Sequence, residues 1–313
     1  MSLLMKGKHL VSLSDFSTEE INEIFYLAEK LKMDNHCGRS HNDLLAGRSL
    51  AMIFEKPSTR TRLSFEVGIG QLGGFGLFLS PRDLQIGRGE TIADTSQVIS
   101  RYCDCIMARV LKHETITELA ANSRVSVING LSDVEHPCQV LTDFFTVKEK
   151  FGYVKGLNFS YVGDGSNNMA HSLIWGAALL GVNMNVVTPE GYDPDPKIWE
   201  EASKVAKVNG CELKVIREPV EGVKNVDIVY TDVWTSMGQE DENEIRLKAF
   251  APYQLNAKLM ANAPARSIVM HCLPAHRGEE ITSEVVDSPQ SVVFDQAENR
   301  MHVQKAVMVL LMR

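Results

Sequence analysis

The stretch EKPSTRTRLSFEVG, residues 55–68, crowds a proline, three hydroxyls and two arginines into six positions before it turns apolar. Hydroxyls and a forked guanidinium beside the open N–H groups of a helix N-terminus form an anion site, with phosphate the usual guest. Pro57 suits a first helical turn, and Ser58 or Thr59 can cap it. Positions two apart on a helix point about 200° apart, so of Arg60 and Arg62 one binds and the other braces. Taken by itself, the same stretch also fits a well-capped surface helix.

Seven further polar clusters follow predicted strands. They are DLQIGRGET (83–91), Arg109 at the end of CIMARV, EHPCQ (135–139), VGDGSNNMAHS (162–172), TDVWTSMGQEDE (231–242), MHCLPAHRGEE (270–280) and QAENRMH (296–302). Each has an ordinary reading alone: a surface loop, a solvated arginine, a packing role for His136, a helix cap for Asp232. Such residues at the carboxyl ends of strands, where α/β sheets bind ligands, are harder to dismiss together. The turn Gly163-x-Gly165-x-x-Asn168 resembles a dinucleotide fingerprint but lacks its third glycine, which weakens an NAD-dependent oxidoreductase as the alternative. Adjacent His271 and Cys272 suggest a metal, yet no other ligand stands at metal spacing in the linear sequence, so no metal is expected.

The elements that carry these clusters alternate. SLAMIFE, FGLFLS, CIMARV and VSVING read as strands separated by helical runs. A second series, LNFSYVG, NMNVVTP, CELKVIR, VDIVYTDV, RSIVMHCLP and SVVFD, begins after a helix near 137–150. The expected fold is α/β, with two domains, each a parallel sheet flanked by helices, joined by interdomain helices and separated by a cleft. The boundaries are 1–150 and 151–295, with a terminal helix at about 296–313 docking back on the first domain.

The 313 residues suffice for two cores, and 44% hydrophobic with 23% charged is ordinary globular composition. A net charge of −8 without a dense basic stretch argues against nucleic acid and anionic membranes as partners. No long apolar run and no basic presequence stand out, and the six cysteines are scattered, so a reduced, cytoplasmic setting is expected.

In this order, STRTR, HPCQ, HCLPAHRGEE and ENRMHVQKAVM resemble the aspartate and ornithine carbamoyltransferase family over essentially the whole chain, and SMG (236–238) with LQIGRGET resembles its ornithine branch. The resemblance implies transfer of the carbamoyl group of carbamoyl phosphate to the δ-amine of L-ornithine, giving citrulline and phosphate, a reaction of arginine metabolism that serves arginine biosynthesis or the catabolic direction. No cofactor is implied. Residues 1–150 would bind carbamoyl phosphate and 151–295 ornithine. Ser58, Thr59, Arg60, Thr61, Gln85, Arg109, His136, Gln139, Cys272, Leu273 and Arg300 would contact carbamoyl phosphate, with Arg60, Arg109, His136 and Cys272 catalytic. Asn168, Asp232, Ser236 and Met237 would hold ornithine. Gln85 would reach into a neighbouring subunit of a homotrimer with shared active sites.

Overall fold

Ser49–Phe54 is buried at every position and forms strand β1. A strand apolar on both faces needs helices on both sides, the condition of a parallel sheet. In the computed structural model, which describes residues 5–86, 89–235 and 240–313, the chain divides into two units. One is Met1–Phe145 with Glu298–Arg313, and the other is Thr146–Ala297.

In the first unit, β1 pairs in parallel with β2 (Phe75–Leu79) and β3 (Cys105–Arg109), and β3 pairs with β4 (Ser126–Leu131), in the order β2-β1-β3-β4. Helices α1 (Thr18–His36), α2 (Thr59–Gln71), α3 (Ile92–Tyr102) and α4 (His113–Asn122) belong to this unit. Ser17 and Glu20 start α1 with a capping box, each side chain accepting from the other's backbone N–H. β2 lies on one side of β1 while β3 and β4 lie on the other. The crossovers therefore diverge between β1 and β3, and the carboxyl ends there stay open.

The chain passes to the second unit within α5 (Pro137–Phe151). There β5 (Asn158–Val162), β6 (Asn183–Val187), β7 (Leu213–Ile216), β8 (Ile228–Thr231) and β9 (Ile268–His271) form a parallel sheet in the order β7-β6-β5-β8-β9. The divergence now falls between β5 and β8. Helix α6 (Asn168–Leu180) is buried from Met169 onward and ends at Gly181, whose φ of 70° closes the helix in the left-handed region. Helices α7 (Pro196–Asn209), α8 (Pro219–Val223) and α9 (Asn243–Phe250) follow, with the single turns α10 (Ala257–Met260) and α11 (Ser283–Val286).

The expected last strand, SVVFD, is not one. Ser291 makes an isolated bridge to Val269, and from Val293 the chain enters α12 (Val293–Met312). A short apolar run is compatible with either element; here the helix simply begins three residues earlier than its periodicity announced. Beyond Glu298, α12 belongs to the first unit, where Val303, Ala306, Val307 and Met308 are buried. Lys305 is buried with them. Its Nζ donates to Gln71 Oε1 at 2.8 Å, and burial pushes its ammonium down to about 8. Among the described residues, no helix is long and apolar enough to cross a membrane.

Close packing of α8 on the second sheet rests on Gly222, where an added Cβ would sit 2.4 Å from Val187 Cγ2. Val187 is β-branched and cannot swing aside freely. Gly222→Ala is expected to lower stability by about 1–3 kcal/mol, read as a lower urea midpoint with an unchanged slope.

Candidate active site

In the first unit β1 runs through Glu55–Pro57 into α2, so the N-terminus of α2 opens at the divergence point. Ser58 is the N-cap, and its Oγ accepts the N–H of Thr61 at 3.4 Å. Ser58 Oγ also donates to Thr61 Oγ1 at 3.1 Å, and Arg300 Nη2 donates to the same oxygen at 2.9 Å. With both lone pairs of Thr61 filled, its own hydroxyl proton remains to be donated. Arg62 points elsewhere: its Nε donates to Glu66 at 2.9 Å and its guanidinium lies 4.0 Å from the Phe78 ring centroid. It is the brace of the pair, and Arg60, on the first turn of α2, is half-buried.

Arg109 ends β3 at a register shift against β4, an irregularity that re-aims a strand end. Its carbonyl accepts the N–H of Glu55 at 2.9 Å, and the Glu55 carboxylate accepts the N–H of Leu111 at 2.6 Å, so the exits of β1 and β3 are pinned together. After β4, Glu135 is buried and held by Ser12 Oγ and the Leu13 N–H, which fixes the turn that presents His136. On α5, Gln139 accepts from Arg300 Nη1 at 3.0 Å and donates to Asp143 at 2.8 Å. Burial holds His136 well below its ordinary 6.5, and the positive charges of Arg300, Arg109 and Arg60 push it the same way. It is a neutral imidazole among cations.

In the second unit, Asn167 caps α6 by accepting the Ala170 N–H at 2.8 Å, and half-buried Asn168 is the first helical residue. Asp232 leaves β8 buried, and burial raises its carboxyl. Its Oδ1 accepts from the Val233 N–H at 2.8 Å and from Cys272 Sγ at 3.0 Å. His271 Nδ1 accepts the Leu273 N–H at 2.8 Å, so its proton sits on Nε2, which donates to Glu280 Oε1 at 3.0 Å. The same Glu280 oxygen accepts the His276 N–H at 2.6 Å. These bonds hold Leu273 at φ 57°, a left-handed conformation uncommon for a side chain of its size.

The fold therefore adds Asp232 to His271 and Cys272, with donor atoms within 4.8 Å of one another, where linear spacing offered no third group. Both nitrogens of His271 are already committed to hydrogen bonds.

Residues 8–149 match the carbamoyl-phosphate-binding domain of the aspartate/ornithine carbamoyltransferases, and residues 155–311 match the aspartate/ornithine-binding domain. The ornithine carbamoyltransferase of Thermococcus kodakarensis is 55% identical over 312 residues, which cover 100% of this chain and 98% of that protein. The solved structure of the ornithine carbamoyltransferase from Pyrococcus furiosus is 52% identical with a TM-score of 0.96, covering 99% of each chain. The chain belongs to the aspartate/ornithine carbamoyltransferase family.

Within that family framework, the first unit joins Ser58, Thr61, Gln139 and Arg300 in one hydrogen-bonded set, with His136 among Arg60, Arg109 and Arg300. The second unit joins Asp232 to Cys272. Thr59 is exposed on the first turn of α2, and Gln85 is exposed on its loop. Ser236 and Met237 lie outside the described residues. Residue-by-residue reading passed over Glu135, His271 as a backbone clamp, and Glu280; the available signal was a carboxylate or imidazole adjoining a polar motif at a strand exit.

Because folding depresses the pKa of His136, the unfolded chain takes up a proton first as the pH falls below about 6.5, and the folded state loses stability there. His136→Gln removes this share. Its loss of stability between pH 8 and pH 5 should be smaller than that of the unmodified chain by about 2 kcal/mol, measured by urea unfolding at both pH values.

Proposed function

We infer that this chain transfers the carbamoyl group of carbamoyl phosphate to the δ-amine of L-ornithine, giving citrulline and phosphate, with the following division of labour. Ser58, Thr59, Arg60 and Thr61, together with the first amides of α2, bind the phosphate. Arg109 spans the phosphate and the carbonyl oxygen. His136, Gln139, Arg300, Cys272 and the Leu273 carbonyl hold the carbamoyl group. The observation that carries this reading is the capped N-terminus of α2 opening at the first sheet's divergence point, beside a neutral histidine and three arginines.

The neutral δ-amine attacks the carbamoyl carbon, and the carbonyl π pair moves onto oxygen. Thr61, Arg109 and His136 donate to that oxyanion, each worth on the order of 10²- to 10³-fold in rate. A neutral His136 can donate from one nitrogen without adding a charge that would hold substrate anions as tightly as the transition state. The tetrahedral adduct then collapses. The bond from the carbamoyl carbon to the bridging oxygen breaks as the carbonyl re-forms, the electron pair leaving on phosphate, whose new charge Arg60 and Arg109 stabilise, and the proton lost from the attacking nitrogen leaves with the phosphate.

Asn168 donates to the ornithine carboxylate, and Asp232, with Ser236 and Met237, holds the α-amino end. An α-ammonium offers Asp232 the cation that its burial otherwise withholds. Cys272 is hydrogen-bonded to Asp232 as a thiol donor, so it orients the reactants and is not the attacking nucleophile. The reading extends to a cytoplasmic homotrimer in which Gln85 completes a neighbour's site, with citrulline formed for arginine biosynthesis. A relative 52% identical, from Pyrococcus furiosus, is named an anabolic ornithine carbamoyltransferase.

Three measurements test this. Arg60→Ala should lower kcat by at least about 10²-fold while the variant remains folded; near-normal turnover removes Arg60 from the mechanism. Since an alkyl amine titrates near about 10.4, kcat/KM for ornithine should climb steeply from pH 6 to 9, and a flat profile contradicts attack by the neutral amine. Native mass should be three times the 34.8-kDa chain.

A further inference from the structure

Arg246 sits on α9 almost wholly buried, its side chain 5% exposed, and the chemistry above does not use it. Its Nη1 donates to Asp164 Oδ2 at 2.6 Å and to the carbonyl of Trp234 at 2.9 Å. Its Nε donates to Glu242 Oε2 at 3.1 Å, and its guanidinium lies 5.1 Å from the centroid of the Tyr192 ring. The plane of the fork is thus set by contacts on several sides.

The two acceptors of Nη1 belong to different segments. Asp164 organises the turn after β5: its Oδ1 accepts from the Ser166 N–H at 2.9 Å and from Ser166 Oγ at 2.6 Å. Gly165 N–H is held by Thr188 Oγ1 at 3.2 Å, and the turn ends at the Asn167 cap and Asn168. Trp234 lies two residues beyond Asp232, on the segment that leaves β8. β5 and β8 are the pair between which the second sheet diverges.

We propose that Arg246 is the positioning residue of the ornithine site, fixing the segment that carries Asn168 against the segment that carries Asp232. This rests on the reading that those two residues hold the carboxylate and the α-ammonium of ornithine. The two charged groups of an α-amino acid are separated by a fixed short distance, so binding both demands that their partners be held at a matching separation. Parallel pairing of β5 and β8, with Thr231 Oγ1 donating to the Val162 carbonyl at 2.7 Å, sets the strand ends, and beyond them Arg246 bonds to both segments. A single nitrogen donating to both ties the two segments together. A lysine would supply the charge for Asp164 without the planar fork.

The test is steady-state kinetics of the full-length protein with both substrates varied, on the unmodified chain, Arg246→Lys and Arg246→Gln, with melting temperature recorded alongside. Arg246→Gln leaves Asp164 buried without its cation and risks misfolding; Arg246→Lys keeps the charge. In the folded lysine variant, the ornithine KM should rise at least about tenfold, as small misplacements of binding groups do, while the carbamoyl-phosphate KM stays within about threefold. Arg246→Gln, where it folds, should show the larger rise. An unchanged ornithine KM in folded Arg246→Lys overturns the proposal, as does an equal rise in both KM values accompanied by a lower melting temperature. Failure of the unmodified chain to carbamoylate ornithine would instead overturn the underlying reading of Asn168 and Asp232.

Discussion

Parallel strand pairing is the constraint on which the rest of the structure depends. It places every carboxyl end of a sheet at one edge, and it forces each return of the chain through a helix that starts at that same edge. In both units the crossovers run first to one side of the leading strand and then to the other, so that β1 and β3, and likewise β5 and β8, leave an unfilled gap between their exits. Candidate ligand-binding residues gather there: STRTR and Arg109 in one unit, Asn168 and Asp232 in the other.

The gaps are lined by polar groups whose protonation follows from burial. His136 is kept neutral because burial disfavours its charged form and because a further positive charge beside Arg300, Arg109 and Arg60 is unfavourable. The Asp232 pKa moves the other way, upward, because burial disfavours its charged form as well, and its carboxyl takes hydrogen bonds from Val233 and the Cys272 thiol. His271 has one tautomer because the Leu273 amide occupies Nδ1. The fold itself sets the state of each group, and donors preorganised in this way are the effective ones in catalysis.

Much of this was legible in the linear chain. The alternation of apolar strands with helical periodicities announced two α/β units, because parallel strands buried on both faces have few other sequences open to them. Proline, hydroxyls and arginines after a strand announced a capped helix, and the roughly 200° between Arg60 and Arg62 foretold that one would brace. The SVVFD segment was misread as a strand because five residues do not distinguish a buried strand from the first turn of a helix. Asp232 beside Cys272, forty positions apart in sequence, could not be seen at all.

The sequence alone determined local conformation and residue chemistry: caps, periodicities and the order of motifs, all of which act through neighbours a few positions away. Tertiary structure decided which distant groups share a hydrogen, and therefore their states. That Arg300 donates to Thr61 and Gln139, that Glu280 receives both ends of the His271–His276 turn, and that Arg246 joins the exits of β5 and β8 are facts of the fold. The physical reason is that hydrogen bonds and charge interactions depend on distance and burial, and neither has a counterpart in linear spacing once the chain crosses a sheet.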